Sequence, residues 1–191
     1  MVIRPLRFNI NLLLAILLLG ATGCQTPEQK QEKQTATLRI HLETNPLPLG
    51  QSEQISVLRT APISVTIEKN PFLHEGHVAS ASLLENPDGF ALKIQLNRQG
   101  QWLLEQYTSA NSRRRIAIRS QFRQGTNVFD RWLAAPMISG RIYDGILAFT
   151  PDADHAESEI IVKGWNNSAG YKPKDHESKT NATAAVFSDV P

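Results

Sequence analysis

Cys24 is the only cysteine in this chain of 191 residues. A single thiol cannot form an intramolecular disulfide, so any domain that the chain forms must be stabilised by its hydrophobic core. The length suits one domain with one core, and we predict one. The position of the thiol is also informative, because it directly follows a short apolar segment near the N-terminus.

Residues 1–23 have the pattern of an export signal. Arg4 and Arg7 give a positively charged start, Leu12–Leu19 is an apolar run, and Gly20–Gly23 are small residues of the cleavage-site type. A transmembrane helix needs about 20 apolar residues, and this run is shorter. We therefore predict a cleaved signal peptide over 1–23 and no permanent membrane-spanning helix.

The segment Ala21–Cys24 resembles the lipobox of bacterial lipoproteins, with Ala21 where leucine is commoner. The resemblance implies that Cys24 becomes the acylated first residue, carrying palmitate-type chains that anchor the protein to a bacterial membrane facing the periplasm. Gln25 resembles the outer-membrane sorting pattern, so the outer membrane is favoured and the cell membrane is the alternative. An ordinary secreted protein with a chance cysteine is the other interpretation.

Composition divides the rest of the chain into a tether, a domain and a tail. Residues 24–36 are predicted to form a lipidated polar tether, 37–165 the folded domain, and 166–191 a disordered polar tail. The chain has 20 Lys and Arg residues against 18 Asp and Glu, and both Arg4 and Arg7 leave with the signal. The mature chain is then formally neutral, which argues against nucleic acid as a partner, since binding it normally needs a basic face.

Alternation of apolar and polar residues predicts strands in the domain. The segments Leu38–Leu42 and Ile63–Ile67 alternate clearly, and Ile55–Val57 does so more weakly. Pro62 separates the last two, which are either two successive strands or one interrupted strand. Turn signals then predict two hairpins and a final strand. These are a hairpin of 77–85 with 90–96 about Asn86–Gly89, a hairpin of Ile116–Ile118 with Val128–Ala135, and a strand Ile142–Phe149 with a bulge at Gly145.

Two helices interrupt the predicted strands. Asn97 is expected to cap the first, in which apolar residues recur at helical spacing at Trp102, Leu103, Tyr107 and Ala110. Thr150 is expected to cap the second, which closes at Gly164. The predicted fold class is α+β, with a largely antiparallel mixed sheet and two helices packed on one of its faces.

The order of signals from Phe72 to Gly164, about half of the chain, resembles the head subdomain of the first periplasmic domain of SecD, a component of bacterial protein export. The stretches that carry the likeness are His77–Ala81, Phe90–Gly100, Thr108–Ile118, and the turn Ala134–Ile138 followed by Ile142–Gly145. SecD itself is a membrane protein whose spanning part couples proton flow to secretion. The resemblance therefore implies a stand-alone, lipid-tethered head without that motor, and the SecD head is thought to contact unfolded polypeptide.

The function implied is a membrane-tethered, non-enzymatic module that binds polypeptide or assists export. The alternative is a structural subunit of an envelope complex, whose partner is another envelope protein. A third hypothesis, a hydrolase with an unrecognised site, has no positive feature to support it. No cofactor is expected.

Catalytic and metal-binding patterns are weak in this sequence. His74 and His77 are three residues apart across a glycine, whereas the zinc motif H-E-x-x-H needs a spacing of four, so we predict exposed loop histidines and no metal. His41 and His155 are distant candidates for a third ligand. No Gly-x-Ser-x-Gly elbow is present, and acylation would consume the thiol of Cys24.

The clearest charge cluster is the run of three arginines that starts at residue 113. It either binds an acidic peptide or lipid headgroups, or forms the solvated start of a strand. The three tryptophans are expected mainly to pack in the core or at its rim, and any apolar groove for polypeptide would be lined by aromatic residues. The candidate partner-binding residues are Arg113, Arg114, Arg115, Phe129 and Trp132.

Overall fold

The computed structural model describes residues 34–46, 48–87 and 89–171, except for the side chain of Leu49, and these form nine strands and two α-helices. The strands are β1 (Arg39–Leu42), β2 (Ser52–Val57), β3 (Ile63–Glu68), β4 (Leu73–His74), β5 (Val78–Asn86), β6 (Gly89–Leu96), β7 (Ile116–Gln124), β8 (Asn127–Ala134) and β9 (Ile146–Phe149). The helices are α1 (Arg98–Ala110) and α2 (His155–Ala169), and short 3-10 turns occupy Pro48–Gly50 and Glu75–His77. The predicted α+β class is confirmed.

The described strands are divided among three antiparallel sheets, where a single sheet was predicted. The main sheet has the order β4-β1-β7-β8, a second consists of β2 and β3, and a third has the order β5-β6-β9. Buried residues of the main sheet and of the three-stranded sheet belong to the same hydrophobic cluster, so these two sheets are joined by side-chain packing and not by a ladder of hydrogen bonds.

The main core lies between the inner face of the main sheet, the three-stranded sheet and both helices. The alternating residues Leu38, Ile40 and Leu42 are buried in it, as predicted. Trp165 of α2 is fully buried, and its indole Nε1 donates a hydrogen bond to the carbonyl oxygen of Thr37 over 3.0 Å. Both helices therefore contribute to the same core, which agrees with the predicted packing on one side.

The outer face of the main sheet is partly covered by the β2–β3 hairpin. Of the two possibilities left open by the sequence, the structure has two strands paired from Ser52↔Glu68 to Val57↔Ile63. Their alternating apolar residues form a second, smaller core against Ala117 of β7. The hairpin covers only one end of this face, so the rest of the sheet surface beside β8 stays accessible.

The predicted limits of α2 are wrong at both ends. The cap is Asp154 and not Thr150: a carboxylate oxygen of Asp154 accepts from the amide of Glu157 over 2.7 Å, and the Glu157 carboxylate accepts from the Asp154 amide over 3.2 Å. The helix also continues past Gly164 to Ala169. It ends at Gly170, whose φ of 69° is the left-handed conformation typical of helix ends.

Gly164 lies inside α2, at a position where the helix packs closely against residues 35 and 36. A Cβ atom at Gly164 would lie 2.5 Å from the Cβ of Ala36 and 2.7 Å from its backbone nitrogen. Ala36 is itself buried, so the folded domain begins before residue 37. Asn166, which was assigned to the tail, is also buried and exchanges two hydrogen bonds with the backbone of Ala81. The predicted signal over 1–23, most of the tether and residues 172–191 of the tail lie outside the described residues.

The region around α1 also differs from the prediction. Asn97 caps the helix as expected, accepting from the amide of Gly100 over 3.0 Å. The buried face consists of Gly100, Leu104 and Thr108, while Trp102 is 61% exposed. The last strand is shorter than predicted, because Ile142 and Tyr143 form hydrogen bonds to side chains of α1 before β9 begins at Ile146.

Candidate functional site

Two of the three arginines of the predicted cluster form hydrogen bonds to backbone carbonyls of neighbouring segments. A guanidinium nitrogen of Arg115 donates to the carbonyl of Ala135 over 2.7 Å, and one of Arg114 donates to the carbonyl of Glu43 over 3.3 Å. Arg113 is exposed, in a turn where its φ is 68°. The cluster is thus split between structural contacts and one exposed cation.

The two predicted aromatic residues do not line one groove. Phe129 stacks on Phe122 in the main core, with ring centroids 5.6 Å apart. Trp132 lies on the opposite face of β8, where its ring meets that of His41 edge-on at 5.3 Å. Residues three apart in a strand point to opposite faces, which explains the separation.

The outer side of β8 is an edge of the main sheet. Among the described strands, β8 pairs only with β7. Near its end, the carbonyl of Leu133 accepts from the amide of Asp152, and Arg59 binds the Asp152 carboxylate through its own amide and guanidinium. These contacts occupy the last part of the edge. The preceding residues, Asn127–Trp132, are called the β8 edge below.

Peptide groups along the β8 edge alternate in direction. The pair next to the two-residue turn, Gln124 and Asn127, exchanges hydrogen bonds in such hairpins, so the following residue points its N–H and C=O away from the partner strand. That residue is Val128, whose side chain is 54% exposed. Its backbone groups are therefore oriented to pair with a further strand.

Polar side chains lie beside the β8 edge on the outer face of the sheet. Arg119 forms a two-pronged ion pair with Asp130, with both nitrogen–oxygen distances 2.7 Å, and its guanidinium carbon is 5.4 Å from the centre of the Trp132 ring. The hydrogen bond to Asp130 is the main reason that the pKa of Arg119 is raised above its ordinary value. Arg119 and Asp130 line a shallow open depression together with Thr37, Arg39 and Gln121.

Two histidines are buried, His41 in β1 and His77 before β5. Exposed loop histidines were predicted at 74 and 77, and this is wrong for His77 only, since His74 is exposed. The Nδ1 atom of His41 lies 2.8 Å from the carbonyl oxygen of Glu68. His77 packs against His74 with ring centroids 4.0 Å apart, and its Nδ1 accepts from the His74 amide over 3.2 Å. Within the described part of the chain, no group of three or more His, Cys, Asp or Glu residues is placed to hold a metal ion.

Burial of these rings should make the stability of the domain depend on pH. Desolvation lowers the pKa of both His41 and His77 below their ordinary value. As the pH falls through about 6.5, the unfolded chain then takes up more protons than the folded chain, so the free energy of unfolding is expected to fall as the pH is lowered from about 7.5 to about 5.5. Denaturant unfolding at several pH values measures this fall.

The matched control for the pH effect is His155. Its hydrogen bond to the Glu85 carboxylate raises its pKa, so its contribution has the opposite sign and is lost as the pH rises. A His41→Gln, His77→Gln variant should show a smaller fall toward pH 5.5, and His155→Gln a larger one. An unchanged pH slope in the double variant would contradict the assignment.

No family model and no curated protein matches this sequence. A solved structure of SecDF, described as a membrane component that enhances protein export, superposes on 76% of this chain and 70% of its own, with a TM-score of 0.50 and 16% identity. SecDF in a super-membrane-facing form matches 75% of this chain and 21% of its own (TM-score 0.49, 14% identity). SecDF of Thermus thermophilus, a translocon-associated membrane protein, matches 84% of this chain and 33% of its own (TM-score 0.38, 12% identity).

The fold is therefore SecD-like, as the sequence resemblance predicted. The match reaches beyond the half of the chain that carried the sequence resemblance. At 16% identity the likeness establishes the fold alone. No helix formed by the described residues is both long and apolar enough to cross a bilayer.

Proposed function

We propose that this chain is a membrane-tethered, non-enzymatic module that binds extended polypeptide along the β8 edge, in a role linked to protein export. The observation that carries the proposal is the outer side of Asn127–Trp132, which has no strand partner among the described residues. An extended chain can add to such an edge as a further strand. The fold shared with a SecDF that enhances protein export supports the export context, and acylation of Cys24 would supply the tether.

The chemistry of the β8 edge suits partners of varied sequence. Main-chain hydrogen bonds provide affinity in strand addition, and they do not depend on the partner's side chains. Val128 offers an exposed apolar contact, and Arg119, Asp130 and Gln121 offer polar contacts to side chains on the outer face. Unfolded exported chains have this mixed character.

A proline at residue 128 tests the proposal. Val128→Pro removes an outward-pointing N–H without removing a hydrogen bond between β7 and β8. We expect binding of a permanently unfolded, alkylated model protein to weaken by about tenfold or more, since one main-chain bond and the local geometry of the edge are lost. Fluorescence anisotropy with the labelled model protein measures the affinity.

The matched control is Val128→Ala, which keeps the N–H and shortens the side chain. It should weaken binding only a few-fold, and both variants should keep the unfolding midpoint of the parent to within a few degrees. Equal affinity of the parent and the proline variant would refute binding at this edge. Affinity for one folded envelope protein, with none for unfolded chains, would support the alternative of a structural subunit.

A further inference from the structure

The exposed large apolar side chains are unevenly distributed over the domain. Among the described residues they are Trp102, Val128, Met137 and Tyr143, which are 61%, 54%, 44% and 70% exposed. Val128 belongs to the β8 edge. The other three lie at two opposite ends of the domain, and the two aromatic ones share the end at which the chain enters.

Hydrogen bonds connect the point of entry to the two aromatic residues. At the entry, the carbonyl of Gln34 accepts from Asn167 in the last turn of α2, and the amide of Leu38 donates to the carboxylate of Glu75 over 3.2 Å. The next residue, Gly76, accepts from the side chain of Asn97, the cap of α1, over 2.9 Å.

The first turn of α1 completes this end. The side-chain amide of Gln101 donates to the carbonyl of Tyr143 over 2.7 Å, and Trp102 is the next residue of the helix. The surface formed by residues 34–38, 74–77, 97–102 and 143–145 is called the tether end below.

Met137 marks the opposite end of the domain. It forms an antiparallel bridge with Arg115, directly before β7 begins. The first residue of β7, Ile116, pairs with Leu42, the last residue of β1. Since the tether end lies where β1 starts, Met137 and the two aromatic residues are separated by the length of that strand.

We propose that the tether end lies against a phospholipid bilayer, with Trp102 and Tyr143 at the level of the headgroups. The proposal rests on the proposed lipid anchor at Cys24, which precedes Gln34 by ten residues. Ten residues span at most about 35 Å even when fully extended, which limits how far the entry point can lie from the membrane surface. Exposed tryptophan and tyrosine favour the boundary between headgroups and acyl chains, because each joins an apolar ring to a polar group.

Brominated lipids test the contact without relying on native acylation. Cys24 is the only thiol, so the processed chain, residues 24–191, can be coupled through it to a maleimide lipid in vesicles of phosphatidylcholine and phosphatidylglycerol. Replacing the phosphatidylcholine by its brominated form should quench the fluorescence of Trp102 by about half or more, since interfacial rings reach the upper acyl chains. The other two tryptophans are expected to add an unquenched background, because Trp165 is fully buried and Trp132 packs edge-on against His41 on the outer face of the main sheet.

Three variants make the outcome specific. Trp102→Phe should remove most of the quenching, Tyr143→Ser should reduce it about twofold by weakening insertion, and Met137→Ser, at the opposite end, should leave it unchanged. Equal quenching in the parent and in Trp102→Phe would overturn the proposal.

The anchor itself is tested separately by mass spectrometry. The protein purified from its membranes should carry acyl chains on residue 24, and Cys24→Ala should release it. A chain without acyl groups would refute the proposed tether, whereas the vesicle result judges the contact made by the tether end.

Discussion

Trp165→Ala is expected to lower the free energy of unfolding by about 3–5 kcal/mol. Trp165 is completely buried where α2 meets the main sheet, and its indole N–H donates to the carbonyl of Thr37. The alanine variant loses the burial of a large ring and leaves a cavity. It also removes one of the two hydrogen bonds that the Thr37 carbonyl accepts, the other coming from the Ser120 hydroxyl over 2.7 Å. Urea unfolding followed by circular dichroism gives the difference.

Trp102→Ala is the matched control for this effect. The same residue type is removed, but Trp102 is 61% exposed on α1, so the change should stay within about 0.5 kcal/mol. Similar losses in the two variants would show that Trp165 does not occupy the core as described.

Gly164→Ala is expected to destabilise the domain although alanine favours helices. The new Cβ would lie 2.5 Å from the Cβ of Ala36, 2.7 Å from its nitrogen and 3.0 Å from the carbonyl carbon of Thr35. Two of these three atoms belong to backbone, so the clash cannot be relieved by a change of rotamer. Overpacking of this kind costs about 1–3 kcal/mol, and the residue-36 segment must also move, so the gain of about 1 kcal/mol in helix propensity should be outweighed.

The control for the glycine is its neighbour, Lys163→Ala, which changes an exposed residue of α2 and should alter stability by at most about 0.5 kcal/mol. A net loss of about 1–2 kcal/mol for Gly164→Ala is predicted, measured by denaturant unfolding. A more stable variant would show that α2 does not approach residues 35 and 36 so closely.

The strands could be predicted because consecutive residues of a half-buried strand alternate between apolar and polar, a pattern that is visible in the sequence. Leu38, Ile40 and Leu42 alternate with polar residues, and each is buried. The start of α2 was harder to predict, because Thr150 and Asp154 are both residue types that favour the N-cap position. The pair of Asp154 with Glu157, three residues later, is the sequence signal that favours the observed start.

The candidate site depends on contacts that no local pattern contains. That β8 lies at an edge follows from the order of strands from different parts of the chain. The closeness of Gly164 to Ala36 likewise joins residues far apart in sequence. By contrast, the separation of Phe129 from Trp132 could have been predicted from the sequence, since two strand residues that are three apart lie on opposite faces.

Amide hydrogen exchange of β8 tests the central claim most directly. The outward-pointing amides of the β8 edge, above all that of Val128, should exchange quickly in the free protein, because they face water. Adding the permanently unfolded, alkylated model protein at saturating concentration should slow the exchange of Val128 and of alternate residues along the edge, and leave the inward-pointing amides unchanged. Binding without any change of exchange along Asn127–Trp132 would contradict strand addition at this edge.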